Sequence, residues 1–418
     1  MTPGRPRFRR RTLLFPALLM VWLLAHCSPV FAEAGTGRLE VEIGRTASRL
    51  QALDSQGWAV PPAAVPLLTT YKHQLRDLLT EIVRSTPEAR VVDLEQRYKA
   101  ALARAGVTLP VLSTDARDLA REDATHPYGR LGRIDVRSPG SFDSIRVITT
   151  SFLIGCDTDT SLYVFERKGS TWRRALDVES VGYTTIGQAL GTPQWAINKI
   201  PGGGWFLVVA EVNPRCNSNW QSLRWTVLHT GSDPTRPHVL DRQQATVFLG
   251  GDQPFRLTAS EGGFRLTWDG DELLYPDGGA RTHVVSALVT QHHVVRTAPI
   301  AADVEGFVDE WAALPWNEAR RSIVPAARTS SRKWHDLLSR VRTQTHSRYL
   351  TFFDSSEQCR QPGNRWQVVL DFDPLSERDR LPPGIPDELL FSITQRGSDF
   401  QLLSVSPGQP AVCRGDLR

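Results

Sequence analysis

Ser144-Ile145-Arg146-Val147-Ile148-Thr149-Thr150-Ser151-Phe152 decides the fold: a short run rich in β-branched residues reads as a strand, not as a helix. Two similar runs follow at 162–167 and 172–178. Lys168-Gly169-Ser170 lies between them, with glycine free to take the positive φ of a tight turn. The texture continues through 205–212, 223–228, 246–249, 255–258, 264–268 and 292–296, with further turns at Pro201 to Gly204 and at Glu261-Gly262-Gly263. Strands met in succession and separated by tight turns predict an antiparallel meander. The expected class is mainly β with α+β additions, its central domain at 130–300 being a sandwich, an open barrel or a partial propeller. Turn-and-aromatic units recur at Gly169 to Trp172, Gly202 to Trp205 and Gly262 to Trp268. Their unequal spacing favours a twisted sandwich or open barrel over evenly spaced propeller blades.

Both flanks change period. In the segment 33–113, Leu68, Tyr71, Leu75, Leu78, Leu79 and Ile82 recur every three to four residues, the stripe of an amphipathic helix. Thr86-Pro87-Glu88 has the composition of a helix start, Val91, Leu94, Tyr98 and Leu102 continue a second stripe, and Gly106 suits its end. A helical hairpin is expected there, followed by a polar linker at 114–129. Beyond 301, Val304, Phe307, Val308, Trp311 and Leu314 predict a helix closed by Pro315, with another over 331–341. Strand-like runs at 349–353, 366–372, 389–394 and 400–405 complete a small α+β domain over 301–418.

Residues 1–32 have the form of an export signal. Arg5, Arg7, Arg9, Arg10 and Arg11 precede an apolar run of 13 residues, and Val30-Phe31-Ala32 resembles a cleavage site. The run is short for a bilayer span. An extracytoplasmic location, periplasmic or secreted, is therefore expected. Cys27 follows Leu24 and Ala25 as a lipid-attachment cysteine would, but His26 stands where a small residue is needed, so anchoring there is disfavoured. Without the signal the chain holds 44 basic and 45 acidic residues. So even a balance gives no electrostatic case for nucleic acid or for an anionic membrane.

An oxidising compartment gives the remaining Cys156, Cys216, Cys359 and Cys413 a disulfide role. Three pairings are possible. Cys156 with Cys216 and Cys359 with Cys413 keep each bridge inside one expected domain.

Chemistry-bearing clusters are few. Asp157-Thr158-Asp159-Thr160-Ser161 alternates acids as calcium loops do, but Leu162 replaces the turning glycine and no Glu closes the loop, which predicts a solvated turn and no metal. Asp269-Gly270-Asp271-Glu272 reads as an exposed hairpin tip, and Asp371 and Asp373 as a strand end. His292-His293 falls on opposite faces of an expected strand, so the pair cannot share an ion. No phosphate-cradling glycine loop or hydrolase elbow is present, and no cofactor is expected. Arg414-Gly415-Asp416 is a tripeptide match of the kind that arises by chance.

Six tryptophans lie between Trp172 and Trp268, either as core fillers or as faces for sugar rings. Asn213, Arg215, Asn217, Asn219 and Trp220 surround Cys216 in a polar loop ending on an aromatic. With Asp157 and Asp159 they form the candidate binding residues. The expected function is recognition of an unknown ligand, a carbohydrate or another envelope protein. The alternatives are a hydrolase whose carboxylates, among them Asp157, Asp159, Asp269, Asp271 and Asp371, converge with a histidine, and an envelope component docking through the helices.

Overall fold

The computed structural model describes residues 30–53, 60–107, 128–140, 142–154, 157–213, 218–250, 253–260, 262–271, 280–344, 353–372, 384, 386 and 388–408. Residues 114–127 of the linker expected at 114–129, the loop residues Arg215, Cys216 and Asn217, and Cys27, Cys156 and Cys413 lie outside the described residues, as do residues 349–352 of the strand expected at 349–353.

Three helices, not a hairpin, open the described chain: α1 (Val30–Gln51), α2 (Ala64–Ser85) and α3 (Val91–Arg104). The additional helix buries Ile43, Ala47 and Leu50, a second apolar stripe at three- to four-residue spacing. The α2 stripe is buried as expected. The α3 start is displaced, however. Thr86 donates its hydroxyl back to the Ile82 carbonyl (2.6 Å) and so finishes α2, while Arg90 caps α3 with its N–H on the Asp93 carboxylate (3.3 Å).

The strands form four successive four-stranded antiparallel meanders. The first sheet is β1 (Leu131–Arg137), β2 (Ile145–Ile154), β3 (Asp157–Lys168) and β4 (Thr171–Val178). The second is β5 (Gln194–Lys199), β6 (Trp205–Val212), β7 (Trp220–His229) and β8 (His238–Phe248). The third holds β9 (Phe255–Ser260), β10 (Gly263–Asp271), β11 (Ala280–Val289) and β12 (Val294–Thr297), and the fourth β13 (Phe353–Gln361), β14 (Arg365–Phe372), β15 (Glu388–Arg396) and β16 (Asp399–Pro407).

Alternation along these strands builds the layers. In β2, Ile148, Phe152 and Ile154 pack with the helices while Ile145 and Val147 pack with the second sheet. In β6, Trp205, Leu207 and Val209 face the first sheet, and Phe206, Val208 and Ala210 share a core with Phe264, Leu266 and Trp268 of the third. A two-layer sandwich has no place for a third sheet, and no described strand of one sheet ladders onto a strand of another as in an open barrel. Of the three arrangements left open by sequence, the blade-like stacking of a partial propeller is the one this succession matches. Unequal loop lengths, not a different architecture, made the turn-and-aromatic spacing irregular.

Toward the C-terminus, α4 (Val304–Ala313) starts on Asp303, whose carboxylate accepts from the Gly306 N–H (2.7 Å), and ends at Leu314 before Pro315. The short α5 (Trp316–Ala319) and the amphipathic α6 (Arg328–Gln344) follow, and with α4 they cover one face of the fourth sheet through Val368, Leu370, Phe391 and Leu402. Arg281 on β11 pairs with Asp309 and, at 3.1 Å, with Glu310 of α4; His283 and Arg296 reach the same Glu310 carboxylate at 2.8 and 3.0 Å. That buried ion cluster joins the third sheet to the C-terminal part. Cys359 on β13 is buried.

Candidate functional site

Asp157-Thr158-Asp159-Thr160 is not the solvated turn expected from its composition but the first four residues of β3. Two residues apart, the acids share one face of the strand, and depth along it separates them: Asp157, its first residue, is half-buried, and Asp159 is fully buried. A buried carboxylate needs partners. Asp159 receives Lys72 Nζ at 2.8 Å, the Ser180 hydroxyl at 3.0 Å, the Tyr183 hydroxyl at 2.5 Å and the Leu190 N–H at 2.9 Å. Lys72 comes from α2, where it occupies the apolar stripe between Leu68 and Leu75. Its ammonium also donates to the carbonyl (3.2 Å) and hydroxyl (2.5 Å) of Ser180 and lies over the Tyr183 ring.

A serine, a lysine and a carboxylate in mutual contact could suggest a nucleophile and its base. Here the geometry is saturated. Three ammonium protons meet three acceptors, and four donors occupy the carboxylate, so neither group keeps an open face for a substrate proton. Burial, with the neighbouring Asp159 carboxylate, also pushes the Tyr183 phenol well up. The cluster is a clamp that fastens α2 to the first sheet.

Leu190 and Gly191 extend from this clamp to the second sheet. The Leu190 carbonyl accepts from the Thr160 N–H (2.7 Å), and Gly191 lies so close to Val212 that a Cβ would run into the Val212 carbonyl. Asp159 and Asn213, assigned by sequence to one recognition surface, are therefore connected through two intervening residues at one end of the first two sheets. Glu211 and Arg224 face each other there across β6 and β7 (3.1 Å), and the Asn213 N–H donates to the Ser222 carbonyl. Burial, opposed by Arg224 and reinforced by Asp159, raises the Glu211 carboxyl to about 7. Among the described residues, Glu211 Oε2, Asn213 Oδ1, Ser222 Oγ and Arg224 Nε are buried without a hydrogen-bond partner. Buried polar atoms ordinarily have one. Asn219 is exposed, and the half-buried Trp220 ring sits 4.8 Å from that of Phe248.

Other expectations fare differently. Trp172, Trp205, Trp225 and Trp268 are buried, so four of the six β-region tryptophans are core and a continuous aromatic platform is ruled out; Trp195 and Trp220 are half-buried. Asp269 continues β10 instead of crowning a hairpin and accepts from Thr282 Oγ1 at 2.8 Å. His292 and His293 sit in an exposed turn before β12, not in a strand. No group of three or more His, Cys, Asp or Glu among the described residues could hold a metal ion. No sequence motif marks Lys72, Ser180, Tyr183, Glu211 or Arg224. Only Lys72 left a signal, a charge within an apolar stripe.

No family model and no curated protein matches the chain. Among solved structures, the α-L-arabinofuranosidase Arb93A of Fusarium graminearum in complex with an iminosugar inhibitor is similar at 9% identity and a TM-score of 0.24, over 65% of this chain and 64% of its own. The GH93 α-L-arabinofuranosidase of the same fungus with arabinobiose gives 8% and 0.23, over 61% and 62%. The α-L-arabinofuranosidase PaAbf62A of Podospora anserina with cellotriose gives 9% and 0.19, over 65% and 67%. The chain thus spans less than two thirds of the first two structures. Likeness at this level leaves function to be argued from this chain's own residues.

Proposed function

We propose that this is an exported, non-catalytic recognition protein whose ligand contacts the shared end of the first two sheets. The observation that carries the reading is the set of unpaired polar atoms on Glu211, Asn213, Ser222 and Arg224, beside the half-buried Trp220. An aromatic face next to amide, hydroxyl and carboxyl groups suits a neutral carbohydrate, whose ring packs on the indole while its hydroxyls both donate and accept. Saturation of the Lys72–Asp159–Ser180 cluster supports binding over hydrolysis. The export signal at 1–32 and bridges between Cys156 and Cys216 and between Cys359 and Cys413 belong to this reading. The first bridge would tie the loop carrying Arg215 and Asn217 to the β2–β3 turn.

The mature chain is titrated with chitotriose, cellotriose and maltotriose, followed by tryptophan fluorescence and calorimetry. Binding of at least one sugar is expected, weakened about tenfold or more by Asn213→Ala or Trp220→Ala. Silence across all three sugars sinks the carbohydrate assignment, and release of new reducing ends sinks the non-catalytic one. Peptide mapping without reductant tests the two bridges.

A further inference from the structure

We infer that the outer face of α6, with the turn before it, docks electrostatically on the surface of an anionic phospholipid bilayer. The even charge of the whole chain conceals a local excess: between residues 319 and 345 there are seven arginines and lysines and one acid. On α6 they are sorted by face. At about 100° per residue, Arg328, Arg332, Lys333 and Arg340 fall within an arc of roughly 140°, and Asp336 is the sole acid among them. The opposite arc carries Ser331, Trp334, His335, Leu337 and Leu338, all buried against the fourth-sheet core. Arg320 and Arg321, in the turn preceding α6, are also exposed.

Two features point to a bilayer surface and not to a single anion. The charges are strung along about 18 Å of helix instead of converging on a pocket, which suits many phosphates spread over a plane. Beside them stands the half-buried Trp316, with the Arg332 guanidinium 5.8 Å from its ring centre and the His335 ring 5.3 Å away. A tryptophan bordering a basic face is the pairing that interfacial segments use at headgroup level. The apolar face of α6 is already spent on the core, so docking requires no insertion, and no described helix is long and apolar enough to cross a membrane. Attraction of this kind falls within a Debye length and weakens with salt.

The mature chain is sedimented with vesicles of phosphatidylcholine alone or with a third phosphatidylglycerol, at low and at high salt. Binding is expected to the anionic vesicles only, lost at high salt and reduced at least about tenfold by combined Arg328→Glu, Arg332→Glu and Lys333→Glu. Arg236→Glu, Arg256→Glu and Arg265→Glu together, a matched charge change on the second and third sheets, should leave most of the binding intact. Should the first triple variant unfold by circular dichroism, the corresponding glutamine substitutions replace it. Absence of binding to anionic vesicles, equal loss in both triple variants, or tighter capture by soluble polyphosphate than by vesicles overturns the inference.

Discussion

Lys72 stands where the helical stripe demands an apolar side chain, and the fold meets that demand by supplying Asp159, Ser180 and Tyr183 from the first sheet and the loop after it. A buried ion pair adds little net stability, but removing one partner leaves the other charge stranded. Asp159→Asn should therefore cost about 3–5 kcal/mol in denaturant unfolding, and Lys72→Met with Asp159→Leu should recover most of it. A loss below about 1 kcal/mol for the single change would contradict the clamp. The sequence exposes half of this arrangement. A lysine among leucines announces that a partner exists, but its identity depends on how a distant strand lies against α2. Asp157 and Asp159 illustrate the same limit: as a motif they are equivalent acids on one strand face, and only depth, Asp157 at the strand's first residue and Asp159 further in, buries one more than the other. Glu211 carried no signal, since a single glutamate near a strand end is ordinary until Arg224 and Asn213 are set beside it.

Strands were legible where runs of β-branched and aromatic residues stand between turn residues, as in β2, β6 and β10. They were missed where that texture is diluted. β8 is largely polar, so only its end was read, at 246–249, and β11 carries Arg281 and His283 into a buried position, which hides its strand character. α1 was blurred by Gly37 and Gly44, both poor helix residues. The two glycines have different reasons for being there. A Cβ on Gly44 would strike the Ala105 carbonyl at the end of α3, whereas a Cβ on Gly37 would meet nothing within 4 Å. Opposite outcomes follow from the same substitution in one helix: Gly37→Ala should stabilise by about 0.5–1 kcal/mol through helix propensity, and Gly44→Ala should destabilise by about 1–3 kcal/mol through the clash. Thermal unfolding of the two variants decides this, and shifts of the same sign would show that α1 and α3 do not touch as described.

At the scale of the molecule, the helices at 30–107 read in sequence as a segment set off from the β region by a linker, because periodicity changes abruptly between them. In the structure they share a core with the first sheet, with Tyr71 edge-on to Phe152 and the Trp172 indole donating to the Pro87 carbonyl (2.8 Å). Period reports what each element is, not what it leans on. The same holds for charge, whose pH response arises from separate layers. Burial lifts Glu211 to about 7 and Asp177 to about 6, against the opposing pull of Arg224 and Arg174. Both groups contribute stability that is complete below the unfolded carboxyl range and disappears as pH rises through their folded values. Glu310 behaves oppositely: its hydrogen bond from His283 and the charges of Arg296 and Arg281 outweigh burial and bring it to about 2, so its contribution exists above the unfolded value and is lost as pH falls toward 2. The two limbs predict greatest stability in mildly acidic solution, near pH 4–5 to within about a unit. Glu211→Gln should flatten the decline between that optimum and neutral pH by on the order of 2–3 kcal/mol, leaving the acid limb in place. Glu310→Gln should erase the acid limb and lower stability throughout, because Arg281 and Arg296 lose the carboxylate that holds the third sheet to α4. Melting temperatures measured from pH 2 to 8 test both, and a Glu211→Gln profile parallel to the parent's would place that carboxyl in water rather than in the corner where Asn213 and Ser222 lie.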